Sequence, residues 1–324
     1  MRRTPHIAEQ STLRVNQPPS ICTVIFTLLL SCMVQRPAAS GTNAPVGYAL
    51  LVLADVGTNP QRNKAVDPSD FNVPELALVR VYGALLKAEF RDENLTILYA
   101  HDAARLDLSE PRYPDLCKRL NDKDLNNLNN AHHDATTVNV LRELDLYAAK
   151  ATEKDPFVFW VCAHGWQNGA LSLEGTTYLR RREMHASPKR FRSRSLYLLF
   201  DCCHSGAILE RVPLDNALMF AATGPSTVSA MTRDFSNCAR FLESLTDPLC
   251  DTDHNGTLDC SEAFAATLTA AREYDPILQS HAKEDRTRGR IKEEVSTTPL
   301  IRAGPRFVET SLFARRLTPV TSPQ

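Results

Sequence analysis

The chain lacks an excess of charge of either sign. Its 324 residues include 37 Lys and Arg and 38 Asp and Glu, giving a formal net charge of -1. This balance gives no electrostatic reason to expect nucleic acid or an anionic membrane as a partner. No internal repeat is visible, which excludes a repeat array, and the apolar run over residues 21–34 is shorter than the ~20 residues that span a bilayer.

The length and the apolar content set the scale of the fold. A chain of 324 residues with 43% apolar content is sufficient for one large α/β domain and is tight for two full domains. We predict no organic cofactor.

The N-terminal segment has the features of an export signal. Arg2 and Arg3 precede the apolar run 21–34, and small residues follow at 38–40, as is typical of a cleavable signal. We therefore predict an export signal over residues 1–40, followed by a linker over 41–46, and an exported protein that is secreted or periplasmic. Residues 29–32 also resemble a bacterial lipoprotein cleavage box, in which Cys32 becomes a lipid anchor and the sole contact with a membrane.

Five short apolar runs predict a parallel sheet. Continuous apolar runs of strand length are typical of strands covered on both faces, and helical periodicity appears before, between and after them. Strands that alternate with helices predict an α/β three-layer sandwich, with a mostly parallel sheet and helices on both faces. The predicted strands are 48–54, 95–99, 156–162, 195–200 and 218–222, and the predicted helices are 74–90, 137–149, 235–245 and 263–274. We assign the domain to 47–312, a polar irregular region to 101–137 and a disordered tail to 313–324.

Two predicted strands end in side chains that can perform nucleophilic catalysis. His164 follows the third strand and Cys203 follows the fourth, and ligands bind at the carboxyl ends of strands in such sheets. A cysteine nucleophile needs a base or a cation beside its thiolate and donors for the oxyanion. We predict His164 as the base, Cys203 as the nucleophile, and the N–H groups of Gly165 and Cys203 as the oxyanion hole.

These residues resemble a known family. The His164-Gly165 strand end, followed by Asp201-Cys202-Cys203-His204-Ser205-Gly206, is similar to the caspase-like clan of cysteine peptidases and to its metacaspase-type nucleophile motif. The helix and strand over 78–99, the segment 135–146 and the short His–Cys spacing resemble the legumain and transamidase branch. The resemblance covers roughly 48–235 and implies a caspase-like fold, a peptide or protein substrate and Cys203 as the nucleophile.

The resemblance also gives a role to Asp201. Two residues before the nucleophile, an acid of this clan lines the pocket for the residue before the cut bond. A carboxylate there favours Arg or Lys in the substrate, although legumain-like relatives carry an acid at this place and take Asn. A transpeptidase, in which an amine captures the acyl-enzyme, remains an alternative.

Other interpretations of the same residues remain open. Buried cysteines at strand ends are usually inert packing. Cys162, His164, Cys202, Cys203 and His204 could be zinc ligands, but adjacent Cys-Cys-His does not fit the usual ligand spacing. His204 is a poor base, because adjacent side chains on a strand point apart. Two adjacent thiols leave Cys202 as a rival nucleophile, and an inactive calcium-binding interaction module on the same scaffold is the rival class of function.

Residues 251–262 match an EF-hand calcium loop. Oxygen-bearing side chains stand at positions 1, 3, 5, 9 and 12, a glycine stands at position 6, and position 7 offers a carbonyl. The predicted ligands are Asp251, Asp253, Asn255, Thr257, Asp259 and Glu262. We predict that calcium pins two helices against the sheet.

An arginine-rich segment over 180–194 lies between the two catalytic strands. We interpret it as a solvated face; a self-cleavage site or a surface for an anionic partner are the alternatives.

Overall fold

The computed structural model of the protein describes residues 45–54, 72–99, 110–126, 134–174, 177–212, 214–229, 231–232, 234–287 and 294–309. These described residues all belong to one compact unit. The predicted export signal over 1–40, with the lipid anchor at Cys32, and the predicted tail over 313–324 lie outside the described residues and stay predictions. In the described part of the chain, no helix is long and apolar enough to cross a membrane.

In the ranges given above, nine strands form two sheets. The main sheet has six strands in the order β2-β1-β3-β7-β8-β9, and the smaller sheet has the order β4-β5-β6. Neighbours in the main sheet are parallel except at β8 and β9, which are antiparallel. The strands are β1 Tyr48–Leu53, β2 Leu95–Tyr99, β3 Phe157–Cys162, β4 His164–Gly165, β5 Leu171–Ser172, β6 Tyr178–Leu179, β7 Leu196–Asp201, β8 Ala217–Ala221 and β9 Leu300–Ala303.

The central strands are buried on both faces. Every residue of β1, β3, β7 and β8 is buried, as the continuous apolar runs predict. Alternate side chains enter two separate apolar cores, one on each face of the sheet. Each fully buried Leu or Phe side chain stabilises the fold by roughly 1.5–3 kcal/mol relative to an exposed one. These strands therefore hold the residues at their carboxyl ends in place.

Seven α-helices of the described residues cover the two faces of the main sheet. They are α1 Asn72–Lys87, α2 Pro114–Asn126, α3 Thr137–Lys150, α4 Arg181–Ala186, α5 Gly206–Arg211, α6 Asn237–Ser244 and α7 Cys260–Thr287. Side chains of α1, α2, α6 and α7 join one core, and those of α3, α4 and α5 join the other. The predicted three-layer α/β sandwich with a mostly parallel sheet is confirmed.

Three parts of the fold differ from the sequence prediction. The region 101–137, predicted to be irregular, contains α2, whose Cys117 and Leu120 are buried one turn apart. The helix predicted over 263–274 begins earlier and runs much further, as α7, with Pro276 inside it. The edge strand β9 was missed because it has only four residues, which is too short a run to stand out in the sequence as the central strands do.

Candidate active site

The two strands that carry the predicted catalytic residues are neighbours. β3 and β7 pair in parallel, and Cys162 at the end of β3 lies opposite Asp201 at the end of β7. His164 and Cys203 each follow these register partners by two residues, so both lie just beyond the same edge of the sheet. The sequence alone does not show that β3 and β7 are neighbours, because the order of strands in a sheet depends on contacts between residues far apart in the chain.

Gly165 lies against the nucleophile segment. A Cβ built on Gly165 would overlap the carbonyl oxygen of Cys203 and would approach the Sγ of Cys202 to 3.0 Å. Backbone atoms cannot yield as a flexible side chain can, so only glycine lets the His164 and Cys203 strand ends come this close. The structure thus brings together the predicted base, the nucleophile and both predicted oxyanion-hole residues.

The chain turns sharply away from β7 immediately after Cys203. His204 has a positive φ of 55°, which is uncommon for a residue with a side chain. Its N–H donates to the carbonyl of Thr227 at 2.9 Å, and the Gly206 N–H donates to the carbonyl of Thr223 at 2.9 Å. The helix α5 begins at Gly206.

The two adjacent thiols lie in different environments. Cys203 is half-buried, and its Sγ lies 3.9 Å from the carbonyl oxygen of Ser229. Cys202 is buried with 3% of its surface exposed, and burial, with the nearby Cys203 and Asp201, raises the pKa of its thiol well above the ordinary value. A thiol that stays protonated is a weak nucleophile, which favours Cys203 over Cys202.

His164 differs from the adjacent candidate His204 in its exposure. His164 is exposed on β4 and can meet a substrate. His204 is buried, and its Nδ1 has no hydrogen-bond partner among the described residues. His164 is therefore the better placed of the two to exchange protons with a bound molecule.

Asp201 is buried beneath the site. Its exposed fraction is 1%, and its Oδ2 accepts a hydrogen bond of 2.5 Å from Ser236. Burial raises the pKa of Asp201 to about 6, against the lowering effects of Ser236, Trp160 and the more distant Arg80. No described residue is placed to make a hydrogen bond of good geometry with its Oδ1. As placed, the carboxylate has little access to solvent, and its predicted role in a substrate pocket stays a prediction.

Ser236 and Arg80 support the site, and neither residue was predicted from the sequence. Ser236 caps α6 by accepting from the N–H of Ala239 at 3.1 Å, while its hydroxyl donates to Asp201. Arg80 of α1 makes a two-pronged ion pair with Glu243 of α6 at 2.7 and 2.6 Å. A serine before an amphipathic helix is a detectable cap signal, but its second bond to Asp201 depends on the tertiary fold.

Residues 251–262, the predicted calcium loop, form a turn that brings three carboxylates together. Gly256 has a positive φ of 74° at the turn position, and its N–H donates to Asp251 at 3.0 Å. One oxygen each from Asp251, Asp253 and Glu262 lie within 4.8 Å of one another. The Oδ1 of Asp251 is buried and has no hydrogen-bond partner among the described residues.

This cluster suits a hard cation. Converging carboxylate oxygens repel one another, and an oxygen-liganded ion such as Ca²⁺ relieves both the repulsion and the unpaired Asp251 oxygen. Asn255 and Asp259 lie outside this cluster, and they accept N–H donors within the loop, from Thr257 and Glu262 respectively. Among the described residues this is the only cluster of its kind. The zinc alternative at the cysteine and histidine residues therefore gains no support.

The arginine-rich segment is folded. Residues 181–186 form α4 and residues 188–190 form a 3-10 turn, anchored by buried Met184, Pro188 and Phe191. Arg180, Arg181 and Arg182 are exposed, in agreement with a solvated face.

Comparisons with known proteins give little information about the roles of these residues. The sequence matches no protein-family model and no curated protein. Similar solved structures include protein GSU0716 from Geobacter sulfurreducens, with 15% identity, 84% of this chain and 98% of that chain covered, and a TM-score of 0.45. The Drosophila initiator caspase Dronc has 11% identity, 84% and 85% coverage, and a TM-score of 0.45. At this low similarity, the chemistry has to be argued from the residues of this chain.

Proposed function

We propose that the protein is an exported cysteine endopeptidase with Cys203 as nucleophile and His164 as general base. The observation that carries the proposal is the contact of Gly165 with the Cys203 carbonyl, which holds the His164 and Cys203 strand ends together. A packing role for Cys203 needs no glycine at this contact and no exposed histidine beside it.

The chemistry follows from these groups. His164 takes the proton of the Cys203 thiol, and the thiolate attacks the peptide carbonyl carbon. The N–H groups of Gly165 and Cys203 stabilise the oxyanion, and the amine leaves with the proton held by His164. Water then attacks the thioester, gives its proton to His164 and releases the carboxylic acid product.

A basic residue before the cut bond is the specificity that Asp201 supports. A buried carboxylate whose pKa lies at about 6 lacks a full cationic partner, because Arg80 is held by Glu243. The Oδ1 of Asp201 meets the hydrogen-bond geometry of no described residue, and the nearby Trp160 indole, which lowers the pKa of Asp201, carries no charge. A substrate guanidinium or ammonium that reached this oxygen would supply both the charge and the donor.

Calcium belongs to this proposal as a structural ion. Asp251, Asp253 and Glu262 would hold it at the start of α7, and α7 packs against α6 and the face of the sheet. Binding would fix the helices that carry Ser236 and thereby the surroundings of Asp201.

A panel of short fluorogenic peptides tests the proposal. The peptides carry Arg, Lys, Asn or Asp before the cut bond, and each is assayed with calcium and with a chelator. The wild-type protein is compared with Cys203→Ala, His164→Ala and the matched control Cys202→Ala. We expect cleavage after Arg or Lys that disappears in the first two variants and persists in the third.

Three other results are informative. Cleavage after Asn would keep the mechanism and overturn the role of Asp201. Loss of activity in Cys202→Ala alone would reverse the assignment of the nucleophile. Absence of cleavage by folded, calcium-loaded protein under every condition would reject the peptidase and favour a non-catalytic calcium-binding module.

A further inference from the structure

A large cationic cavity is lined by residues that follow His164 and Cys203 in the chain, from Trp166 to Arg211. Its volume is about 870 Å³, within the ~300–1,000 Å³ that is usual for ligand pockets. Among the described residues no acidic side chain lines it. The lining residues are Trp166, Asn168, Ala170, Tyr178, Arg180, Arg181, Arg182, His185 and Arg211.

The positive charge of the cavity is largely uncompensated. Arg182 pairs with Glu183, but within the described part of the chain neither Arg181 nor Arg211 has a carboxylate partner. Guanidinium groups gathered around one space repel one another, and an anionic ligand removes that repulsion. Arginine also offers a planar fork that binds a carboxylate through two hydrogen bonds.

Two exposed aromatic residues give the cavity an apolar wall. Trp166 and Tyr178 have 52% and 40% of their surfaces exposed, which is unusual for side chains of this size. The Trp166 indole N–H donates to the Ser172 hydroxyl at 2.8 Å, so the indole is held in place. A ligand that fits this cavity carries carboxylates for the arginines and an apolar or peptide-backbone portion for the aromatic wall.

The cavity is built from the same elements as the candidate active site. Trp166 comes two residues after His164, and its indole bonds to Ser172, which is the register partner of His164. Arg211 ends α5, the helix that begins three residues after Cys203. A peptide held between His164 and Cys203 therefore has this cavity next to its flanking residues.

We infer that the cavity binds acidic residues that flank the scissile bond of the substrate. The inference rests on the proposed peptidase function and adds a second specificity element to it. The residue before the cut bond is read at Asp201, and a nearby Glu or Asp is read by Arg181 and Arg211. An acidic peptide is the occupant we favour, because the cavity adjoins the place where a peptide must lie.

Matched peptides test this inference. Two fluorogenic peptides share Arg before the cut bond and differ in their flanks, which carry Glu and Asp in one peptide and Gln and Asn in the other. We expect the wild-type protein to favour the acidic peptide by roughly tenfold to a hundredfold in kcat/KM. The ratio should fall towards one in Arg181→Ala/Arg211→Ala and with rising salt. Lys189→Ala, an exposed basic residue of the same segment outside the cavity lining, should keep the wild-type ratio.

Direct binding separates this inference from the peptidase proposal. The inactive Cys203→Ala protein is titrated with a dye-labelled acidic peptide, with inorganic polyphosphate as a competitor. Binding that needs Arg181 and Arg211 supports the cavity inference even if no peptide is ever cleaved. Cleavage with a ratio of one between the two peptides overturns the inference and leaves the peptidase standing. Binding of polyphosphate with no binding of the acidic peptide also overturns it.

Discussion

The carbonyl oxygen of Cys203 occupies the space that a side chain at residue 165 would need. Gly165 is therefore part of the candidate site and more than a spacer after His164. The contact joins two strand ends that lie far apart in the chain, and it involves backbone on one side, so the fold cannot relieve a substitution there by moving a side chain.

We expect Gly165→Ala to lower kcat/KM by about a hundredfold or more, because a displacement of about 1 Å near the reacting groups costs that much. The measurement is cleavage of the best fluorogenic peptide, with circular dichroism to show that the variant is folded. The matched control is Gly83→Ala on α1, where the added methyl meets only the end of the Leu116 side chain. A folded Gly165→Ala protein with wild-type activity would contradict the role of this contact.

Iodoacetamide should alkylate Cys203 faster than Cys202 in the native protein, because only the half-buried thiol is open to the reagent and the pKa of Cys202 is raised by burial. Peptide mass spectrometry after short labelling times measures both rates. His164→Ala should slow the labelling of Cys203, since the base that favours its thiolate is removed. Equal labelling of both thiols, or labelling independent of His164, would count against the catalytic pair.

Asp201→Asn should change how stability depends on pH. The pKa of Asp201 is raised to about 6 in the folded protein from 3.8, so the native state holds this proton longer than the unfolded state does. Between pH 4 and pH 6 this group makes the free energy of unfolding fall as pH rises.

Urea unfolding of the wild type and of Asp201→Asn at pH 4 and at pH 7 tests this. From pH 4 to pH 7 the variant should gain roughly 2–3 kcal/mol relative to the wild type. Comparison of the two proteins cancels the titration of the other carboxylates. A pH-independent difference would show that the pKa of Asp201 is the same in the folded and the unfolded protein.

Calcium should raise Tm by about 5 °C or more at saturation, since a ligand at a hundred times its Kd adds about 2.7 kcal/mol. Glu262→Gln should abolish most of this shift, because an amide is a poorer calcium ligand, although it can still accept the N–H groups of Thr252 and Asp253. Thermal unfolding with calcium, magnesium and chelator measures the effect. Glu273→Gln, at an exposed position of the same helix, should behave as the wild type, and a calcium shift retained by Glu262→Gln would remove this residue from the site.

The sequence predicts the centre of this fold well because the centre is apolar and continuous. The runs that become β1, β3 and β7 are buried along their whole lengths, and residues 251–262 specify their turn locally through Gly256. The helix α2 escaped prediction because most of its residues are polar, and the strand β9 escaped because it has only four residues. The cavity is lined by Arg181 of α4 and Arg211 of α5. No local sequence pattern predicts that these two residues line the same cavity.

The position of β9 has a consequence for the making of the protein. Its pairing with β8 closes an edge whose N–H and C=O groups otherwise stand open to another chain. On the ribosome, where a chain emerges from its N-terminus, β8 is finished long before residues 300–303 arrive. During that interval the half-made sheet is open to aggregation, so a chaperone that shields β8 would raise the yield of active protein.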